Sequence, residues 1–319
     1  MEFSLIDRIR QRTAQSRDDV RLGIGDDAAL LAMPSGQELA MAIDTMVEGI
    51  HFPRDTVAAD IGWKALAVNL SDLAAMGATP AWALLALTLP NANEAFIDGF
   101  ADGFAQLAQM YRLALVGGDT TRGALTVSVA VHGFVPPGKA LKRAGAQVGD
   151  AVLVTGTLGD AAGGLRMLQQ DGRADAQSGY LIDRLNRPTP RVAAGLALRE
   201  RANACIDVSD GLLADLGHIC TASSVGAEID TALLPRSSAL LSLFDDASSL
   251  HFALSGGDDY ELCFTVPAQR VASVQTDLAK LGCGATRIGR IVEGEGVKVR
   301  DANGQWLEPV QRGWDHFSA

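Results

Sequence analysis

The sequence predicts an α/β protein of two domains, each built from layered strands and helices. The length of 319 residues suits two ordinary domains. Hydrophobic residues make up 48% of the chain and charged residues 20%, which is the balance of a globular protein with a sizeable core. Short apolar runs alternate with helical patterns in both halves, and this alternation is typical of α/β layers.

The first half contains three predicted helices and a glycine-rich loop at 23–27. The helices are predicted at 3–12, 58–76 and 93–111. Glycine is common just past a helix end, so Gly77 marks the end of the second helix. Short apolar runs predict strands at 39–43, 82–89, 113–116 and 125–135.

The strongest turn signal in the chain is Pro136-Pro137-Gly138, and it opens the predicted domain boundary. We therefore predict an N-terminal domain at 1–137 and a C-terminal α/β domain at 148–319. In the second half the same patterns predict strands at 151–155 and 205–208, and helices at 160–170 and 212–223 and one ending near 201.

Composition argues against several classes of function. The formal net charge of −11 is unsuited to binding a nucleic-acid backbone, which requires a basic surface. The four cysteines are scattered without C-x-x-C spacing, which argues against a zinc or redox motif and favours reduced thiols in a cytosolic protein. The N-terminus has no secretory pattern, and the apolar stretches are too short for a membrane span.

Aspartates recur where a predicted strand ends or a glycine-rich turn begins. Such places collect ligand groups in α/β proteins, because loops converge there. The alternative for any single position is that aspartate is a common turn and capping residue. The positions are Asp26, Asp27, Asp44, Asp119, Asp207 and Asp210.

Asp72 lies on the second predicted helix. Ile61, Ala65, Val68 and Asp72 fall on one helical face, and three of the four are apolar. That face is expected to point into the core, where an isolated carboxylate is costly or has a shifted pKa. A bound cation would remove this cost. Alternatively, Asp72 lies at the solvent edge of the helix or forms an ion pair with Lys64.

The absence of histidine and cysteine beside these aspartates favours a hard cation. Carboxylate oxygens select Mg²⁺, Mn²⁺ or Ca²⁺ over zinc, and Mg²⁺ commonly shares its ligands with nucleotide phosphates. The sequence has no G-x-x-x-x-G-K-S/T motif. Backbone N–H groups for phosphate are instead expected in glycine turns, each of which is a weak signal alone. These turns are Gly117-Gly118, residues 156–159 and Gly256-Gly257.

Six motifs together resemble the thiamine-monophosphate kinase family. This family is a branch of the superfamily that includes aminoimidazole ribonucleotide synthetase and selenophosphate synthetase. The motifs, in chain order, are Gly23-Ile24-Gly25-Asp26-Asp27-Ala28, Asp44-Thr45-Met46-Val47, Asn69-Leu70-Ser71-Asp72-Leu73-Ala74-Ala75-Met76-Gly77, Gly117-Gly118-Asp119-Thr120-Thr121, Asp207-Val208-Ser209-Asp210-Gly211-Leu212 and Ser255-Gly256-Gly257-Asp258-Asp259-Tyr260-Glu261.

The resemblance implies a fold and an activity. In the fold, the N-terminal domain binds ATP and magnesium and pairs with that of a second subunit in a shared β-barrel, and the C-terminal domain is an α/β sandwich. The implied reaction is direct in-line transfer of a phosphoryl group from ATP to thiamine monophosphate, without a catalytic acid, base or covalent nucleophile. The implied partners are ATP, thiamine monophosphate and a second copy of the chain, with several Mg²⁺ ions as cofactors.

The resemblance also implies roles for twelve residues. The implied magnesium ligands are Asp27, Asp44, Asp72, Asp119, Asp207 and Asp210. The implied nucleotide contacts are Gly118, Arg143 and Ser209, and the implied substrate contacts are His51, Asp258 and Trp314. Ala42 stands where related sequences can carry serine, and Asp258 stands where glutamate is expected, which shortens its reach by one methylene.

Two other functions are consistent with the sequence. The chain could be another ATP-using enzyme of the same superfamily. In a different class, it could be an acidic protein that binds cations without catalysis. ATP turnover separates the second alternative from both enzymes, and a panel of acceptors separates the enzymes from each other.

Overall fold

The computed structural model describes residues 2–170, 175–307 and 313. The chain divides into two compact units. The first contains Met1–Leu73 and Ala78–Gly138, and the second contains Ala74–Gly77 and Lys139–Ala319. The domain bounds that we predict from the sequence, 1–137 and 148–319, remain a proposal.

In its described residues, the first unit combines three helices with a four-stranded sheet and a small hairpin. The helices are α1 (Glu2–Arg12), α2 (Ala58–Ala75) and α3 (Glu94–Met110). The strands are β1 (Val20–Leu22), β2 (Leu30–Leu31), β3 (Glu38–Val47), β4 (Thr79–Leu89), β5 (Ala114–Arg122) and β6 (Thr126–Val135). The sheet has the order β3-β6-β4-β5, with only β4 and β5 parallel, while β1 and β2 pair separately.

Helices α2 and α3 pack closely because each carries a glycine at their contact. A Cβ atom on Gly62 would collide with the carbonyl oxygen of Phe100, and one on Gly103 would collide with that of Ala59. Backbones can approach this closely only where a side chain is absent. The Asn93 side chain caps α3 by accepting a hydrogen bond from the Phe96 N–H.

Two of the predicted strand ends are wrong. Asp44 lies inside β3, which continues to Val47, and Asp119 lies inside β5, which continues to Arg122. Asp44 pairs with Val129 of β6, and Asp119 pairs with Ala86 of β4. The neighbouring strands supply hydrogen-bond partners beyond the apolar runs, so these strands extend into polar sequence.

The sheet of the first unit is open in the part of the chain that the structure describes. Its edge strands are β3 and β5, and no closed barrel is formed by the described residues of one chain. A barrel shared by two subunits therefore remains a proposal.

The second unit combines a seven-stranded sheet with seven α-helices in its described residues. The strands are β7 (Ala151–Thr155), β8 (Ala204–Asp207), β9 (Gly226–Asp230), β10 (Leu262–Val266), β11 (Ala285–Val292), β12 (Gly296–Arg300) and β13 (Trp306–Leu307). Their order is β13-β12-β9-β11-β7-β10-β8. The helices are α4 (Asp160–Gln169), α5 (Ala176–Asn186), α6 (Val192–Leu198), α7 (Leu212–Ser223), α8 (Ser238–Leu243), α9 (Asp246–Ser255) and α10 (Val271–Lys280).

The core of the second unit forms where apolar strand residues meet α7. Val152, Val154 and Ile206 of the sheet pack in one buried cluster with Leu212 and Leu216 of α7. Burial of such side chains from water is the main stabilising contribution to a fold of this kind. Among the described residues, no helix is both long enough and apolar enough to cross a membrane.

Candidate active site

A cavity of about 940 Å³ lies in the first unit beside the glycine-rich loop. Its walls include Asp26 and Asp27 of the loop and Gly117 and Gly118 of β5. Both aspartates are exposed, and the Asp27 N–H donates to Asp26 Oδ1 at 2.8 Å. The structure therefore brings a predicted magnesium ligand, Asp27, and a predicted nucleotide contact, Gly118, to the same cavity.

Gly118 occupies a position that only glycine fits. Its φ angle is +152°, and a Cβ atom there would collide with the carbonyl oxygen of Leu85 on β4. The next residue, Asp119, is exposed and lines a smaller cavity together with Gly117 and Gly118. A side chain at 118 would push β5 away from β4 and move Asp119 with it.

Two further residues of the large cavity have no clear signal in the sequence. Arg10 of α1 lies with its Nη2 atom 3.1 Å from Asp7 Oδ1 and brings a positive charge to an acidic wall. His132 of β6 is buried, and burial lowers its pKa. Among the described residues, its Nδ1 atom has no hydrogen-bond partner. Only the tertiary structure places either residue near the glycine-rich loop.

Asn69 connects helix α2 to the free edge of strand β3. Its Oδ1 atom accepts a hydrogen bond from the Asp44 N–H at 3.0 Å, and its Nδ2 atom donates to the Ala65 carbonyl at 2.9 Å. Asn69 is buried and Asp44 is half-buried. The amide therefore holds the backbone of Asp44, a role that the motif containing Asn69 does not reveal.

The face of α2 that we predict to be buried is buried. Ile61, Ala65 and Val68 are each at most 4% exposed, and Asp72 at the end of the same face is half-buried. Lys64, which the sequence offers as a partner for Asp72, is buried and donates from Nζ to the His51 carbonyl at 3.1 Å.

His51 lies in the loop after β3, where its side chain closes a local turn. The Nδ1 atom accepts a hydrogen bond from the Val47 N–H at 3.0 Å, so a neutral imidazole here carries its proton on Nε2. Its carbonyl is held by buried Lys64. Hydrogen bonds to the ring and to the carbonyl of His51 therefore hold this predicted substrate contact in place.

In the second unit, one buried carboxylate shapes the loop that carries two predicted site residues, Ser209 and Asp210. Asp215 lies in the first turn of α7, and its Oδ2 atom accepts hydrogen bonds from the N–H groups of Ser209, Asp210 and Gly211 at 3.0–3.2 Å. Asp207 ends β8 just before this loop and is 5% exposed. The Ser209 N–H is therefore occupied within the protein.

Negative charge is concentrated around Asp215. Burial, and then the charges of Asp207 and Asp210, raise the pKa of its carboxyl to about 8. A site that gathers carboxylates at a cost to their ionisation has the oxygen donors that a divalent cation requires. The loop therefore supplies oxygen donors of the kind that a hard cation takes.

The predicted substrate contact Asp258 is joined directly to this loop. Its N–H donates to the Ser209 carbonyl at 2.8 Å, and the Tyr260 N–H donates to the Val208 carbonyl at 2.9 Å. Asp258 and Ser209, for which the resemblance implies different ligands, are thus neighbours in one hydrogen-bonded structure.

Glu261 is the centre of a buried ion cluster that sequence reasoning misses. It has no exposed surface, and its carboxylate accepts hydrogen bonds from Thr155 Oγ1 at 2.6 Å, Arg184 Nη2 at 2.8 Å and Arg191 Nε at 2.6 Å. Arg184 lies on α5, a helix that the sequence patterns do not predict. Because that helix is not predicted, the sequence alone gives no reason to place Arg184 beside Glu261.

The expectation that turn 156–159 offers N–H groups to phosphate is wrong. The Gly159 N–H donates to buried Asp259 Oδ2 at 2.6 Å. The N–H groups of Gly156 and Leu158 donate to the carbonyls of Gly284 and Pro235. Asp259 occupies the position that an anion would take at the start of α4, and burial raises its pKa to about 8.

Two other predicted residues lie apart from these features or outside the described residues. Arg143 is exposed in the segment after β6, and its carbonyl accepts a hydrogen bond from Ser223 Oγ at 3.2 Å. Trp314 lies outside the described residues. Within residues 2–170, 175–307 and 313, no three histidine, cysteine, aspartate or glutamate side chains are grouped as they would be around a metal ion. The magnesium ligand set therefore remains a prediction.

Comparison with known protein families identifies the class to which both units belong. Residues 25–135 match the N-terminal domain of AIR synthase related proteins, and residues 147–302 match their C-terminal domain. Within this class, the chain is 52% identical to thiamine-monophosphate kinase of Escherichia coli strain K12, over 99% of this chain and 98% of that protein. The chain belongs to the thiamine-monophosphate kinase family.

Solved structures give the same family. The crystal structure of thiamine-monophosphate kinase from Stenotrophomonas maltophilia K279a has a TM-score of 0.90 and 53% identity, covering 96% of this chain and 98% of that one. The structure named AaThiL complexed with AMPPCP and TMP has a TM-score of 0.80 and 34% identity, covering 99% of this chain and 97% of that one.

Proposed function

We propose that this chain transfers the terminal phosphoryl group of ATP to thiamine monophosphate, giving thiamine diphosphate and ADP. The observation that carries the proposal is 52% identity to a thiamine-monophosphate kinase over 99% of the chain. A structural relative bound to AMPPCP, an ATP analogue, and to TMP, thiamine monophosphate, supports both substrates.

The transfer needs no catalytic base or covalent nucleophile from the protein. The acceptor is a phosphate oxygen that is already ionised at neutral pH, so the protein's task is to position two polyanions and to offset their repulsion. We assign nucleotide contacts to Gly118, Arg143 and Ser209, and substrate contacts to His51, Asp258 and Trp314.

We propose that carboxylates in each unit bind Mg²⁺. Bound Mg²⁺ would offset the charge of the phosphates. The negative charge around Asp215, which raises the pKa of that carboxyl, supports a cation at the loop after β8. Asp27, exposed on the wall of the large cavity, supports a cation in the first unit. The full set of proposed ligands is Asp27, Asp44, Asp72, Asp119, Asp207 and Asp210.

A coupled assay of ADP release tests the proposed reaction. With ATP and Mg²⁺ present, we expect ADP release to depend on added thiamine monophosphate, with thiamine diphosphate formed in equal amount. If the rate of ADP release does not depend on thiamine monophosphate but rises with another acceptor, the chain is a different enzyme of the superfamily. Cation binding without any turnover would favour the non-catalytic alternative.

We propose that the chain forms a homodimer through the outer face of strand β3, which we define as Leu39, Met41 and Ile43. These side chains are 40%, 64% and 67% exposed on an edge strand of the open sheet. Exposed apolar groups on an unpaired strand edge favour association with another chain. We also propose a cytosolic location, since all four cysteines are free and buried.

Replacing Met41 by aspartate is expected to convert the dimer to a monomer, because a charge would be buried in an apolar interface. Sedimentation equilibrium at micromolar concentration measures the change. The control is Leu281→Asp, at an apolar residue of the second unit that is 49% exposed, and it should leave the dimer intact. A native protein with the mass of one chain would contradict the dimer, and a dimeric Met41→Asp variant would place its interface elsewhere.

A further inference from the structure

Side chains of the segment 258–261 alternate between two environments. Asp259 and Glu261 are 1% and 0% exposed, and both are hydrogen-bonded inside the second unit. Asp258 and Tyr260 are half-buried. The two inward carboxylates anchor the segment, while the side chains of Asp258 and Tyr260, which alternate with them, lie nearer its surface.

Both half-buried residues have left-handed backbone conformations. The φ angles are +69° at Asp258 and +49° at Tyr260. Residues with a Cβ atom rarely adopt such angles, and a bulky aromatic residue does so even less often. Conformations of this kind persist where surrounding contacts determine them, and they collect at functional sites.

Hydrogen bonds of the main chain hold this conformation against the loop after β8. The N–H groups of Asp258 and Tyr260 donate to the carbonyls of Ser209 and Val208, and the Val208 N–H donates to the Glu261 carbonyl at 2.8 Å. These main-chain bonds fix the two Cα atoms from which the side chains of Asp258 and Tyr260 extend.

The left-handed turn brings the Tyr260 phenol onto the Asp258 carboxylate. Tyr260 Oη donates to Asp258 Oδ1 at 2.9 Å, across only two positions in the chain. A hydrogen bond to a charged acceptor is stronger than one between neutral groups, and it selects one rotamer of the carboxylate.

We propose that Tyr260 is a positioning residue that orients Asp258 toward thiamine monophosphate. The inference rests on the proposed function, in which Asp258 contacts the substrate. Thiamine monophosphate offers an amino group on its pyrimidine and a cationic thiazolium, and both are recognised by a carboxylate held in one direction. Tyr260 acts through Asp258 and has no part in the transfer of the phosphoryl group.

Tyr260→Phe tests the proposal because it removes only the hydroxyl group. We expect the KM for thiamine monophosphate to rise by roughly 3- to 30-fold, from the loss of one charge-assisted hydrogen bond. The kcat and the KM for ATP should stay close to those of the wild type, as should the thermal unfolding temperature.

A double-mutant cycle separates positioning from a general effect on structure. In the Asp258→Asn background, which removes the charged acceptor, Tyr260→Phe should change the KM for thiamine monophosphate by less than about 2-fold. The matched control is Tyr180→Phe, which removes a phenol that donates to buried Asp160 Oδ2 at 3.2 Å in the same unit. This control should leave the KM for thiamine monophosphate unchanged.

Three outcomes would overturn the inference. They are an unchanged KM for thiamine monophosphate in Tyr260→Phe, a fall in kcat without a change in KM, or full additivity of the two changes in the cycle. A wild-type protein that does not turn over thiamine monophosphate at all would instead overturn the proposed function.

Discussion

Replacing Glu261 by alanine is expected to lower the free energy of unfolding by about 3–5 kcal/mol. The carboxylate is fully buried and neutralises Arg184 and Arg191, whose side chains are only 11% and 19% exposed. Without it, Arg184 and Arg191 would lose the carboxylate that they share in a region of low dielectric, and Arg184 would keep the longer contact of its Nε with Asp160 Oδ2 at 3.9 Å. Thr155 Oγ1 would lose its acceptor as well. Urea denaturation of the variant and the wild type measures the difference.

The matched control for this variant is an ion pair at the surface. Arg12 and Asp102 are joined at 2.6 Å, but their side chains are 35% and 59% exposed. Asp102→Ala should lower the free energy of unfolding only slightly, since water and salt already screen the attraction between these two charges. The loss of unfolding free energy in Glu261→Gln should lie between those of Glu261→Ala and Asp102→Ala, because the amide keeps the shape of the side chain and one acceptor oxygen. Equal losses of unfolding free energy in Glu261→Ala and Asp102→Ala would show that the buried ion cluster stabilises the fold no more than a surface ion pair does.

Replacing Asp207 by asparagine is expected to lower the rate of thiamine diphosphate formation by about 100-fold or more. Changes to groups that merely support a metal ligand commonly cost 10- to 100-fold, so loss of a ligand's charge should cost at least as much. The same change should raise the thermal unfolding temperature in the absence of Mg²⁺. Asp207 is 5% exposed, and after burial its charge is the main contribution that raises the pKa of Asp215 to about 8. Removing that charge makes ionisation of Asp215 less costly in the folded protein.

Two measurements on the Asp207→Asn variant separate these effects: ADP release at saturating substrates over a range of Mg²⁺ concentrations, and thermal unfolding without Mg²⁺. The control is Asp183→Asn on α5, where the side chain is exposed, and it should change neither quantity. Near-normal turnover with an unaltered Mg²⁺ dependence in Asp207→Asn would remove Asp207 from the ligand set. A lower unfolding temperature of the variant without Mg²⁺ would contradict the expected gain in stability.

Much of the order of helices and strands can be predicted from this sequence, because it depends on local patterns. Strand 151–155 and helix 212–223 are confirmed at the predicted residues, and helix 58–76 ends within one residue of its predicted end. The buried face of α2 follows from the spacing of Ile61, Ala65 and Val68 alone. Helix α5 is missed, and with it Tyr180 and Arg184.

The candidate site is less predictable, because its geometry depends on partners that are distant in the chain. A glycine turn such as 156–159 has the local features of a phosphate site, yet its Gly159 N–H is taken by Asp259, 100 residues away. Likewise, Asp44 and Asp119 stand at the ends of apolar runs but lie inside strands, since β6 and β4 extend the pairing.

The sequence by itself determined the α/β class, the order of the main elements and the motifs that carry the family resemblance. Only the tertiary structure decided which carboxylates of Asp258-Asp259-Tyr260-Glu261 turn inward. Asp259 and Glu261 are buried because Gly159, Arg184 and Arg191 satisfy them, and these partners lie 70–100 residues away in the chain. The cost of burying a charge depends on such partners, and no local pattern in the sequence contains them.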